Sequence, residues 1–368
     1  MIKVLKLITL TIVLIIPGSR FPSYASEIKL DYSIGFNGRF QVDQWTPLSL
    51  VLETRSRATR GKLEVIVTSG SEYQGDVYRS VYTTDVDLPL NSKKRYSFTV
   101  NIKSFTHDLK IRLRRGDNII FSRSINLRPH FTEKNFAVVA DNFVTPDILS
   151  VLPNHLYPTN VRPKFLPETW YGYESVKLLI LQADTINQLR DRQFQALVRW
   201  LKQGGYLVVG TGLNYGPLGE KRVQEILPVR VGGHHQFYEL QSLGQFCNQE
   251  LSSIEPFLVL AARIDDSKIL LRENEIPIIT RKVIGAGQIV FLSFNFNSPP
   301  FSRWDGRRTF WIKILSLKQE HDRPGIELNE QHIVNSMLAG IPAGFPDFRW
   351  VLLFVSIYLV ILWFLVKK

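Results

Sequence analysis

Along the first third of the chain, apolar and polar residues alternate in runs of about six to ten. "WTPLSLVLET", "GKLEVIVTSG", "VYRSVYTTDVDLPL", "KRYSFTVNIK", "LKIRLRRG" and "NIIFSRSINL" each carry the period-two pattern of a half-buried strand, with Asn, Gly, Ser and Pro between them. Consecutive strands at this spacing predict a β-sandwich over 26–130. Gly116-Asp117 in "RRGDN" suits a hairpin turn, and Pro47 a strand start or an edge, where a missing N–H is harmless.

From Asn135 the period changes. "NFAVVADN" and "VKLLILQAD" are short apolar strands, and "TPDILSVLP" is a helix with Thr145 as N-cap and Pro146 at its first position. In "TINQLRDRQFQALVRWLKQGG" the residues Ile186, Leu189, Phe194, Leu197, Val198 and Leu201 form one helical face, closed by Gly204–Gly205. "YLVVG" follows as a strand. Strand–helix–strand alternation predicts parallel pairing in a layered α/β domain over 131–318, interrupted by a β-rich insertion at about 228–282. "GAGQIVFLSFNFNSPP" returns a core strand, and "RWDGRRTFWIKILSL" a helix. A connector at 319–348 contains prolines 324, 342 and 346.

The ends change the picture. Lys3 and Lys6 precede the apolar run Leu7–Ile16, and Ser23-Tyr24-Ala25 offers small residues to a signal peptidase, so 1–25 is expected to be a signal peptide. At the other end "WVLLFVSIYLVILWFLV" carries no charge and is flanked by Arg349 and Lys367-Lys368, the pattern of a transmembrane helix at 349–367. Together they predict a bacterial cell-membrane protein with one span, its body on the periplasmic or extracellular side and its C-terminus cytoplasmic. The one cysteine, Cys247, cannot form an internal disulfide, which suits a bacterial envelope. The net charge is +12, but the basic residues are scattered, so nucleic acid is not expected as a partner.

The loop after "YLVVG" carries glycines at 210, 212 and 216. It fails the dinucleotide fingerprint: Pro217 blocks a direct helix start, and no carboxylate ends the next strand. No Lys-Ser or Lys-Thr follows, which removes a Walker-type phosphate loop. No cofactor is expected. "KLLILQAD", "LVRWLKQGG", "YLVVGTG" and "FLSFNFNSPPFSRW" in this order resemble the class I glutamine amidotransferase-like fold, as found in exported, membrane-anchored bacterial proteins of unknown function. "IGFNGRFQVDQWTPLSLVLE" resembles the opening of the β-sandwich that precedes this domain in such proteins. The resemblance implies a multidomain fold: an all-β Ig-like sandwich, then a flavodoxin-like α/β domain, then a transmembrane helix. In catalytic members the turn after this strand holds the nucleophilic cysteine. Here Thr211 and Gly212 stand there, and the late His-x-Glu has no counterpart, so glutamine hydrolysis is not expected.

Ligands of open α/β sheets bind beyond the carboxyl ends of the strands. Polar residues at four such ends, Asp141 and Asn142, Asp184, Thr211 and Asn214, and Asn295 and Asn297, would converge on one crest if the strands are parallel, with Asp305 at its border. The same residues would equally serve as helix caps and turn formers. His234-His235 is adjacent on a strand and lacks further ligand types nearby, so no metal site is expected. "TWYGYESV" (169–176) suits core or edge packing, or a groove lining. The expected role is a non-catalytic, membrane-anchored envelope protein presenting a surface to partner proteins or wall polymers. The alternative is a hydrolase of an envelope glycan or peptide working through Asp141 and Asp184.

Overall fold

Alternation turns into two facing sheets because each strand hides every second side chain. A computed structural model describes residues 28–321 and Trp363, apart from 56, 71–75, 143–145, 153, 213 and 265–266. The described residues up to Lys313 form one compact unit, and Ile314 opens a second.

In the N-terminal half, β1 (Ile28–Ile34), β2 (Trp45–Thr54) and β5 (Ser92–Asn101) form an antiparallel sheet in the order β1-β2-β5. β3 (Thr59–Ser69), β4 (Tyr78–Leu88), β6 (Leu109–Arg115) and β7 (Asn118–Ile125) form another, ordered β4-β3-β6-β7. Leu48, Leu50 and Leu52 alternate along β2 and share a core with Leu63, Val65, Val67, Ile111 and Leu113. Each such buried side chain contributes about 1.5–3 kcal/mol relative to exposure.

The second half is built on a seven-stranded sheet. Its strands β8 (Phe136–Ala140), β9 (Tyr157–Val161), β10 (Val176–Gln182), β11 (Tyr206–Gly210) and β16 (Gly287–Leu292) are parallel, in the order β9-β8-β10-β11-β16. β8 leads outward to β9, and the chain then returns to the other side of β8, so the winding direction reverses between β8 and β10. The inner strands β8, β10, β11 and β16 are mostly apolar on both faces, as a covered parallel sheet requires. The helices α1 (Pro146–Val151), α2 (Ala183–Asn187), α3 (Asp191–Lys202), α4 (Lys221–Gln224), α5 (Gln241–Cys247) and α6 (Arg307–His321) connect or follow them.

α3 buries Phe194, Ala196, Leu197, Trp200 and Leu201 on one face. Gln193, polar and fully buried, accepts from Arg190 N–H (3.1 Å) and donates to the carbonyls of Pro163 (3.0 Å) and Leu166 (2.8 Å), tying the helix start to the preceding loop. The helix closes where Gly205 N–H bonds to the Trp200 carbonyl at 3.1 Å.

The two halves pack through aromatic rings. Phe36, from the loop after β1, lies in the core of the second half, 5.2 Å from the Phe136 ring. The Trp45 ring packs 5.0 Å from Tyr171, the Trp45 backbone N–H donates to the Glu174 carboxylate (2.9 Å), and the Thr99 and Thr169 hydroxyls meet at 2.8 Å. The stretch "TWYGYESV" is thus a contact between the halves, with Tyr173 fully buried.

The region expected as a β-rich insertion, 228–282, holds four strands: β12 (Val229–Glu239) and β13 (Ser252–Ile264) form a separate two-stranded ribbon, whereas β15 (Ile276–Ile284) extends the main sheet antiparallel to β16 and β14 (Lys268–Glu273) pairs antiparallel with β15 at its edge. One expectation is corrected here: the fold class ending in a transmembrane helix does not stand. No helix among the described residues is long and apolar enough to cross a membrane. With it go the membrane as a partner, the single-pass cell-membrane location and the anchored envelope scaffold. The stretches expected as signal peptide (1–25) and transmembrane helix (349–367, save Trp363) lie outside the described residues, as does the connector at 319–348 beyond the end of α6.

Candidate functional site

Parallel strands end on one side of a sheet, so the residues that follow them gather there. β8, β10, β11 and β16 run in register, and the residues beyond them enclose a cleft of about 700 Å³. Asp141, Asp184, Asn214, Asn295 and Asn297 all line it. Asn297 donates to an Asp141 carboxylate oxygen at 3.0 Å, joining the outer turns of β8 and β16. Gln182, the last residue of β10, donates to the Asn295 side-chain oxygen at 2.8 Å, and Asn297 N–H donates to that oxygen, also at 2.8 Å.

The loop glycines serve this arrangement. A Cβ on Gly210 would stand 2.5 Å from the Phe296 ring, and one on Gly212 3.1 Å from the Asn295 amide nitrogen. The backbone at the end of β11 and after it therefore lies close on the turn after β16, an approach that a side chain at Gly210 or Gly212 would crowd. One wall of the cleft comes from Pro256, Phe257 and Leu258 of β13, and another from Pro299, Pro300 and Phe301. Two carboxylates and several amides thus face an apolar wall, and no lysine or arginine lines the cleft among the described residues.

Three residues expected at the crest stand elsewhere. Asn142 is exposed and donates to the Gln188 side chain at 2.8 Å, outside the cleft lining. Thr211 is buried beneath it, its N–H donating to the Phe294 carbonyl at 3.1 Å. Asp305 borders a separate recess with Glu250, Arg303 and Trp304. Gln182 was not among the expected residues. The signal was a polar residue closing the otherwise apolar run "LLILQ", two positions before the acidic Asp184.

Cys247 lies in α5, is buried, and does not line the cleft; burial pushes its thiol up to about 12. His234 and His235 sit exposed on β12 opposite Leu260 and Val259. No group of three or more His, Cys, Asp or Glu among the described residues is placed to hold a metal ion.

Residues 27–128 match a family described as a domain of unknown function, DUF8726. That covers less than half of the chain; the expected assignment to membrane-anchored amidotransferase-like proteins does not stand, since no helix among the described residues is long and apolar enough to cross a membrane. No curated protein matches the chain. Among solved structures, the cytoplasmic protein STM3548 from Salmonella typhimurium is 14% identical, over 57% of this chain and 96% of that one, with a TM-score of 0.40. The cytoplasmic protein STM1381 from Salmonella typhimurium LT2 is 14% identical, over 57% and 95%, at 0.38. The exo-beta-1,4-mannosidase Op5Man5 from Opitutaceae bacterium strain TAV5 is 12% identical, over 52% and 36%, at 0.35.

Proposed function

We propose that the strand-end cleft is a binding site for a small, neutral, polyhydroxylated ligand of the sugar class. The observation that carries this reading is the chain of Gln182, Asn295, Asn297 and Asp141, already cross-bonded at 2.8–3.0 Å along a 700 Å³ cleft. Carboxylates and primary amides offer acceptors and donors in fixed planes, the groups that read vicinal hydroxyls. The proline and phenylalanine walls suit the apolar face of a sugar ring. Two carboxylates without a cation disfavour an anionic ligand. The position also favours binding: open parallel sheets take ligands where the winding direction reverses, and Asp141 and Gln182 end the two strands on either side of that reversal. The volume falls in the range of small-molecule sites, about 300–1,000 Å³.

The test is titration with glucose, mannose and N-acetylglucosamine, followed by calorimetry or ligand-observed NMR. Binding of at least one is expected, weakened about tenfold or more in Asn295→Ala, where two of the cross-bonds are lost. Equal binding to wild type and Asn295→Ala, or none to either, would overturn the reading.

A further inference from the structure

The seam between the two halves encloses a second cleft, of about 400 Å³, whose chemistry is opposite to that of the crest. Arg95 of β5 contributes from the sandwich, and Lys164 and Arg192 from the second half. Ser49, Ser97 and Thr99 line the sandwich side. Glu168 is the only acid in the lining among the described residues, and its carboxylate is held by Arg190 at 2.6 Å. Three cations therefore face a lining whose single negative charge is already neutralised.

Arg95 is built into place. Its guanidinium lies 4.5 Å from the Phe165 ring centre and donates to the Lys164 carbonyl at 3.4 Å. Stacking fixes the plane of the guanidinium, so little side-chain freedom remains to be lost when an anion docks. Its buried Nε finds no hydrogen-bond partner among the described residues, nor does the buried Ser49 hydroxyl. Such groups are costly to bury unsatisfied, and both belong to residues that line this cleft.

We propose that this seam cleft binds a phosphate-bearing small molecule, held by Arg95, Lys164 and Arg192, with the serine and threonine hydroxyls completing its shell. Guanidinium groups match phosphate oxygens in forked geometry, and hydroxyls add neutral donors. Both halves supply ligands, so occupancy clamps the sandwich to the α/β sheet and raises the unfolding midpoint as ligand concentration rises.

The probe is pyrophosphate, titrated into the full chain by calorimetry at low and at moderate salt, with the thermal midpoint followed in parallel. Wild type is expected to bind it, more weakly as salt rises, and to melt higher in its presence. Lys164 and Arg192 are exposed, so Lys164→Gln and Arg192→Gln are chosen to keep the fold, checked by circular dichroism. Each should weaken binding about tenfold or more. Lys221→Gln removes an exposed cation outside the cleft and should leave binding unchanged. No binding to wild type, unchanged binding in both cleft variants, or an equal loss in Lys221→Gln would each overturn the assignment.

Discussion

Gly287 opens β16 where it passes the end of α3, and replacing it with alanine tests how tightly the helix and the sheet are locked there. A Cβ at this position would stand 1.9 Å from the Leu201 carbonyl oxygen and 2.5 Å from that of Gly205. Both obstacles are backbone, so no side chain can swing aside. To bring the first contact to an ordinary separation, helix end and strand must part by about 1 Å or more, which forfeits much of the local dispersion energy. Overpacking of this kind costs about 1–3 kcal/mol. Two hydrogen bonds cross the same seam, Ala286 N–H to the Lys202 carbonyl (2.9 Å) and Gln288 N–H to that of Gly205 (3.1 Å). Straining them adds about 0.5–1.5 kcal/mol each. Alanine returns about 0.4–1 kcal/mol by stiffening the unfolded chain. The net expectation is a loss of about 3 kcal/mol. Urea denaturation should show a lower midpoint at unchanged slope. Gly216→Ala is the control, since its Cβ would meet nothing within 4 Å, and it should stay within about 0.5 kcal/mol of wild type. A Gly287→Ala protein within about 1 kcal/mol of wild type would refute the backbone-against-backbone reasoning, as would an equal loss in the control.

Gln193→Leu strands the Pro163 and Leu166 carbonyls and should cost about 2–3 kcal/mol in chemical denaturation; a neutral result would mean that the buried amide is dispensable. Gly212→Val pushes a branched side chain against Asn295 and should abolish sugar binding at the crest while pyrophosphate binding at the seam survives; loss of both, or of neither, counts against the two-site picture. Burial holds the Cys247 thiol near 12, against about 8.5 in an unfolded chain. Between those values the folded chain keeps a proton that the unfolded chain has released. Stability attributable to this group is therefore full below about pH 8.5 and declines above it by up to about 1.4 kcal/mol per pH unit. Urea midpoints from pH 8 to 10 should fall less steeply in Cys247→Ala than in wild type, and parallel slopes would refute the assignment.

What was legible in the sequence was whatever depended on local period. The run "WTPLSLVLET" is β2 residue for residue, and the double glycine after "LVRWLK" does end α3. The polar ends of four apolar runs pointed to Asp141, Asp184, Asn214, Asn295 and Asn297, which line one cleft because the strands are parallel neighbours. Pairing was not legible. "IPIITRKVI" has no pattern that separates a strand of the main sheet from one in an insertion, and only its ladder with β16 decides it. Asn142 and Asp305 were equally plausible by type, but a turn of the chain carries each away from the cleft, and residue type does not encode that turn. The cationic seam was invisible for a simpler reason: Arg95 and Arg192 are brought together only when the halves dock.

Phe36 belongs by position to the sandwich and by packing to the other half. The stretch 27–128 therefore carries, within its own boundaries, a ring whose place lies outside them. Transplanted alone, that stretch would present Phe36 without its socket, and the remainder would have a hole beside Phe136. The seam in space does not follow the seam in sequence, so exchanging either half alone would leave that ring to be covered anew.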